Sequence, residues 1–373
     1  MIFELVRDWL DLYPGFGLFR YTTFRAGMAV FTAFALSLLL GRVLIRRFAA
    51  TGVAEDTTKT DSDILKHLHK DKHGTPTMGG LFLVAGMAVS AGLWMRFDGP
   101  HVFSTWGILL ILWYAAVGFV DDWIKLNVEG KLGMSKRAKQ LLLTVGAVAI
   151  ALLLHHHVGL EAEHGGPRLY FPLLKDYSWD LSLWAGVPFM VVCVLVLSGS
   201  ANAVNFTDGL DGLATGCVAI AALAYVIIAY LVGHAGLAEY LLVAHVPGCS
   251  EMCVLLAALL GACLAFLWYN AAPAQVFMGD VGSLALGGAL GYVALVSRTE
   301  LVLLVVGGVF VAEALSVIIQ VISFRTTGKR VFRCAPLHHH FQFGGMPETR
   351  LVIRTWIVGL LLALSSLALF KIR

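Results

Sequence analysis

The sequence is poor in charge. Only 14% of its 373 residues are Asp, Glu, Lys or Arg, against about a quarter in an ordinary soluble domain. This excludes a surface bathed in water on all sides. The net charge of +3 is not gathered into a basic block, so no nucleic-acid partner is expected. Cysteine is sparse too. Cys193, Cys217, Cys249, Cys253, Cys263 and Cys334 have no zinc-ligand spacing. They read as small apolar packing residues, with Cys249 and Cys253 as the one pair that could meet near the outer face. The first twenty residues carry Glu4, Arg7, Asp8 and Asp11. That pattern fits an amphipathic surface helix better than a cleavable signal peptide. No internal repeat and no linker interrupts the chain, so residues 1–373 are expected to form a single membrane domain.

What the chain has in abundance is apolar length. Hydrophobic residues make up 58% of it, the mean hydropathy is +0.80, and 39 glycines suit close helix packing in lipid. A span needs about 20 mostly apolar residues. Ten candidates follow: 23–45, 77–95, 104–120, 138–157, 183–199, 210–232, 251–269, 282–297, 301–322 and 351–370. The expected fold is an all-α integral membrane protein of about ten transmembrane helices, with both termini on one side. The loops 46–76, 121–137, 200–209, 270–281 and 323–350 then share a face. They hold most of the loop lysines and arginines, among them Arg46, Arg47, Lys70, Lys72, Lys125, Lys136, Arg325, Lys329, Arg330 and Arg333. The opposite loops hold Arg96, Arg168, Lys175 and Arg298. The excess of positive charge places the first set in the cytoplasm and the termini in the periplasm.

Five polar clusters fall on that cytoplasmic face, although nothing in the span count requires it. Lys70–Gly80 precedes the second span; Thr75 or Thr77 could cap that helix, whose N-terminus favours an anion, or the stretch could be a basic anchor. Asp121–Asp122 ends the third span. Adjacent helical residues point about 100° apart, so the two acids should have different tasks; carboxylates beside substrate phosphates suit Mg²⁺. Asn202, Asn205, Asp208 and Asp211 recur every three residues and, if helical, share one face, though Asn, Asp and Gly also make turns. Asn270–Ser283 places Asp280 among glycines, with Phe277 as a residue for packing or for stacking a base. An ionisable group at a membrane surface is by default a functional one. Pro336–Phe341 carries His338, His339 and His340, which could contact phosphate or move a proton near neutral pH. His155–His157 ends the fourth span on the other side and is read as interfacial. Metal-held phosphates, neutralising cations and an oriented nucleophile are the parts that phosphoryl transfer needs.

These motifs, in this order, closely resemble those of the bacterial phospho-N-acetylmuramoyl-pentapeptide transferases, within the polyprenyl-phosphate N-acetylhexosamine-1-phosphate transferase superfamily. The motifs are Lys-x-Gly-Thr-Pro-Thr-Met-Gly-Gly, Asp-Asp, Asn-Phe-Thr-Asp-Gly-Leu-Asp-Gly, Gln-Val-Phe-Met-Gly-Asp-Val-Gly-Ser and Pro-Leu-His-His-His-Phe. The resemblance covers essentially the whole chain. It implies transfer of phospho-MurNAc-pentapeptide from UDP-MurNAc-pentapeptide to undecaprenyl phosphate, in the first membrane step of peptidoglycan synthesis. It also implies Mg²⁺ as cofactor, a homodimer, and a place in the bacterial inner membrane. By the same resemblance Asp121, Asp122, Asp280, His338 and Lys72 are catalytic. Asp280 is then the metal ligand and Asp121 the base for the lipid phosphate, with Asp122 supporting it. Lys125, Asn205, Asp208, Gly209, Leu210, Asp211, Asn270, Phe277, Thr75, His339 and His340 are implied on the substrate side. Two other functions are weighed. A sister transferase using UDP-GlcNAc shares the acids but differs in the histidine loop. A secondary transporter would carry its acids near mid-membrane and often in repeated halves.

Overall fold

The computed structural model describes residues 2–6, 14–53, 74–98, 101–128, 133–160, 166–172, 174 and 177–370. Lys72, and most of the stretch before the second span, lie outside the described residues. In chain order the helices are α1 (Ile2–Val6), α2 (Thr22–Thr51), α3 (Gly80–Trp94), α4 (Val102–Asn127), α5 (Lys136–Leu160), α6 (Leu183–Thr207), α7 (Leu213–Gly233) and α8 (Ala235–Leu241). There follow α9 (Glu251–Asn270), α10 (Gly279–Val296), α11 (Glu300–Val306), α12 (Gly308–Thr327), α13 (Leu337–Gln342) and α14 (Glu348–Leu369). Among the described residues, nine helices are long and apolar enough to cross a membrane: α2, α4, α5, α6, α7, α9, α10, α12 and α14. The chain is therefore an all-α, multi-pass membrane protein.

The second expected span, 77–95, is the shorter helix α3. It has 15 residues, about 22 Å at 1.5 Å per residue. It starts late because Met78 has φ 65°, in the left-handed region that ends a helix. The residues before it pair instead with those before α10. The Phe277 N–H donates to Pro76 O at 2.8 Å, Gly79 N–H to Phe277 O at 2.9 Å, and Gly80 N–H to Met278 O at 2.8 Å. This corrects the expected cap. Gly79 is the N-cap residue and no side chain caps the helix. Two of the N–H groups expected to meet an anion are already spent on carbonyls.

Three other boundaries move. The run 301–322 is divided at Gly307 into α11 and α12. Helix α4 extends past the expected 120 to Asn127, and α6 past 199 to Thr207. Asp121, Asp122 and Asn205 thus stand on the last turns of helices, not in loops. At the opposite end a short antiparallel ribbon pairs β1 (Arg168–Tyr170) with β2 (Ser178–Asp180), with Leu169 opposite Trp179. The sequence reading contained no strand there. The six cysteines are all free; Cys253 Sγ–H donates to Val226 O at 3.2 Å. His157 packs its ring on Phe103 and Trp106, and His155 on Phe189, at the end of α5 away from the acids.

Helix α10 is the centre of the fold. It is buried along its length and packs most extensively on α4 and α6. Gly118 makes the close approach possible: a Cβ there would fall on the carbonyl of Asp280 and the N of Val281. Gly118→Val is accordingly expected to cost about 1–3 kcal/mol through overpacking. Thermal unfolding in detergent would measure this, with Gly199→Ala, which meets nothing within 4 Å, as a control that should leave stability nearly unchanged.

Candidate active site

Alternation of helix direction brings the C-terminal ends of α2, α4, α6, α9 and α12 to one end of the bundle, with the N-terminal ends of α3, α5, α7, α10 and α14. The described residues of all five polar clusters border this end.

Asp121, Asp122 and Asp280 are buried and converge, each offering a carboxylate oxygen, all within 4.8 Å of one another. The sequence brings them together simply. Two acids close the apolar run of α4, and one opens α10, which α4 crosses at Gly118. Lys125, one turn further along α4, reaches all three: Asp121 Oδ2 at 2.7 Å, Asp122 Oδ1 at 3.2 Å and Asp280 Oδ2 at 2.7 Å. Lys139, near the start of α5, places its ammonium 2.7 Å from the same Asp280 oxygen. Asn205 donates from Nδ2 to the other oxygen of Asp280 at 2.5 Å and to Ser283 Oγ at 2.8 Å. Lys139 is a site residue that the sequence reading missed. It carries no motif, and only the packing of α5 reveals it.

The two adjacent acids make different contacts. Asp121 accepts from the Met134 backbone N–H at 2.9 Å, which ties the segment before α5 to the site. Asp122 accepts from the Val281 N–H at 3.2 Å, so it caps α10 from a neighbouring helix and complements the positive end of its dipole. The cluster holds three carboxylates against two ammonium groups. With more buried carboxylates than ammonium groups, it has room for a further cation or a proton.

The series Asn202, Asn205, Asp208 and Asp211 is helical only in its first half. Asn202 turns to Gln140 on α5, donating at 3.1 Å, while Asn205 turns to Asp280. Asp208 is the C-cap residue of α6, and Gly209 and the buried Leu210 continue the turn into α7. Asp211 and Asn270 brace this turn. Asp211 Oδ2 accepts from the Ala274 N–H at 3.0 Å, and its own N–H donates to Glu348 at 2.8 Å. Asn270 accepts from Gly212 N–H at 3.0 Å and donates to Val276 O at 2.9 Å. Its polar atoms are thus spent within the protein. Phe277 is pinned by its backbone to the residues before α3, and its ring is half-exposed, as is Thr75.

The three histidines part company. His338 is buried and points Nε2 at Gly209: a Cβ on that glycine would strike it. Its Nδ1 lies 3.1 Å from Glu313 of α12. His339 pairs through Nδ1 with Gln342 at 2.8 Å. His340 accepts the Arg333 N–H on Nδ1 at 3.1 Å and latches the basic loop after α12. Glu313 is a second residue that the sequence reading passed over, although an acid inside an apolar run was there to be noticed.

Residues 104–298 match the family described as Glycosyl transferase family 4. The phospho-N-acetylmuramoyl-pentapeptide-transferase of Ruegeria pomeroyi is 48% identical over 357 residues, covering 95% of this chain and 96% of that protein. The proteins of the same name from Citrifermentans bemidjiense and Maridesulfovibrio salexigens are 42% and 44% identical, covering 100% and 95% of each chain. At this identity, over nearly the full length of both partners, the chain belongs to the phospho-N-acetylmuramoyl-pentapeptide-transferase family.

Proposed function

We propose that the protein transfers phospho-MurNAc-pentapeptide from UDP-MurNAc-pentapeptide to undecaprenyl phosphate, giving lipid I and UMP. The observation that carries this reading is the buried triad Asp121, Asp122 and Asp280, held by two lysines beside the Asp208–Gly212 turn. The names of the relatives support the donor. The excess of lysine and arginine in the loops at the site end supports a site facing the cytoplasm of a bacterial inner membrane. A homodimer belongs to the same reading.

The donor set fits Mg²⁺. It is made of hard oxygens, gathered closely, with two ammonium groups drawn onto one oxygen of Asp280 where a cation is favoured. Asp280 would be the ligand. Bound there, the ion would neutralise charge on the diphosphate of the donor. The remaining work falls to the protein. Lys125 and Lys139 counter the negative charge that gathers as acceptor phosphate meets donor diphosphate. Asn205 fixes the rotation of the Asp280 carboxylate. Asp122 holds the first turn of α10 in place, and so holds Asp280. Asp121 takes the proton from the acceptor phosphate. Lys72 and His338 contact the diphosphate. Phe277 stacks on the uracil, and Asp208, Gly209, Leu210 and Thr75 line the nucleoside. Asp211 and Asn270 keep that lining in shape, and His339 and His340 fold the histidine loop over it.

The acceptor oxygen attacks the β-phosphorus, the bond from that phosphorus to the bridging oxygen breaks, and UMP leaves. Direct attack is favoured over a phospho-sugar enzyme intermediate on Asp280, because both oxygens of that carboxylate are already engaged and a phosphate dianion is itself a nucleophile. Trapping a phospho-sugar on Asp280 without acceptor would defeat this step.

The deciding experiment is UMP release by purified protein with undecaprenyl phosphate, Mg²⁺, and either UDP-MurNAc-pentapeptide or UDP-GlcNAc. Release with the muramoyl donor alone, abolished by EDTA, is the expected result. Release with UDP-GlcNAc alone would make the protein the sister transferase. No release with either donor from folded protein would remove the transferase reading.

A further inference from the structure

The Glu313–His338 pair is built with more care than packing needs. Both side chains are more than nine-tenths buried, at 4% and 2% exposed. One oxygen of Glu313, Oε2, makes two contacts: it accepts from the His338 backbone N–H at 3.2 Å and lies 3.1 Å from His338 Nδ1. The first contact anchors the opening turn of α13 to α12. The second determines the imidazole. A carboxylate oxygen facing Nδ1 requires a proton on that nitrogen, so Nε2 is the atom left to act. That atom is buried and has no hydrogen-bond partner among the described residues. It faces Gly209, in the turn between α6 and α7. An unpaired buried nitrogen costs free energy and is expected where a ligand completes it. The other titratable ring against His338 is His339, with ring centroids 4.2 Å apart.

We propose that Glu313 is a positioning residue for His338: its carboxylate keeps a proton on Nδ1 and fixes the ring with Nε2 toward the Gly209 turn, so that the ring, when doubly protonated, donates Nε2–H to an anionic oxygen of the substrate there. This rests on the transferase reading given above. Glu313 itself touches no substrate. Its effect passes through one hydrogen bond, as with the outer partners that orient catalytic or metal-bound histidines.

Glu313→Gln keeps the shape of the side chain. Its amide can donate to Nδ1 as readily as accept, so the ring is no longer held in one tautomer. The expected loss in kcat is about 10- to 100-fold, with a smaller change in the donor KM. The pH profile of kcat should be displaced, which a purely structural role would not do, and Glu313→Asp should restore part of the rate. An independent readout is the tautomer of His338, from ¹⁵N shifts of histidine-labelled protein assigned by comparison with His338→Gln. The wild type should carry its proton on Nδ1, and Glu313→Gln should give a mixture. A wild-type ring protonated on Nε2 alone would overturn the proposal, as would a variant with unchanged tautomer and pH profile. The wild-type spectrum decides the matter even if the variant fails to fold. Absence of UMP release by wild-type protein would sink the transferase reading and leave the tautomer result standing.

Discussion

Asp280→Asn is expected to lower kcat for UMP release by about 10³-fold or more, with the fold intact. The magnitude follows from what the carboxylate does. Its Oδ2 holds both Lys125 and Lys139 at 2.7 Å, and its Oδ1 holds Asn205 at 2.5 Å. An amide supplies one acceptor and one donor. Whichever way it turns, one side meets a donor with a donor: two ammonium groups, or the Asn205 amide. Removing a single well-placed donor from a charge-stabilising site commonly costs about 10²–10³ in rate. Here a charge is removed, and with it the proposed metal ligand. The fold should survive, because α10 is held elsewhere by its glycine contacts with α4 and α6. Unfolding temperature in detergent and UMP release would be measured on the same preparation. A folded Asp280→Asn protein retaining a tenth of the rate would remove Asp280 from the centre of the mechanism.

The convergence of those groups was partly legible in the sequence. Asp121, Asp122 and Asp280 could be found because each interrupts or borders a long apolar run, where an acid is costly unless used. The spans were legible for the same reason. What could not be read was anything set by the approach of distant backbones. Lys139 follows Lys136 and Arg137 in a basic stretch, and its sequence neighbours give no sign that it crosses to Asp280. The late start of α3 depends on Met78 adopting positive φ and on strand-like pairing with residues 276–278, some 200 positions away. Asp211 belongs to a family motif and Asn270 is implied on the substrate side by the same resemblance, yet their side chains brace a turn from within. A motif records that a residue type is required at a place, and a brace and a ligand look alike until the partners of each atom are known. Glu313 is different. The signal was present, since an acid lies in the middle of the apolar run 301–322, and the same rule that singled out Asp280 applies to it.

A second large effect lies at the other end of the bundle, where Glu251→Ala should destabilise the fold by about 3–5 kcal/mol. Arg25 and Glu251 are each 1% exposed. The two guanidinium nitrogens meet the two carboxylate oxygens at 2.6 and 2.5 Å. Arg25 also donates to the Trp94 carbonyl at 3.0 Å, and Glu251 also accepts the Arg96 N–H at 2.9 Å. One ion pair thus fastens the start of α2, the end of α3 and the start of α9. Truncating Glu251 strands a guanidinium away from water, and that uncompensated charge accounts for most of the loss. The double variant Arg25→Met with Glu251→Leu should therefore recover most of it, because neither side chain then needs solvation. Thermal unfolding of the two variants separates the cost of a stranded charge from the worth of the pair. UMP release, measured where both are folded, should stay near wild type, since the clamp and the carboxylate triad occupy opposite ends of the helices. If the double variant is as unstable as the single one, the pair is a net source of stability, and the Trp94 and Arg96 contacts that it organises are what hold α3 against α2 and α9.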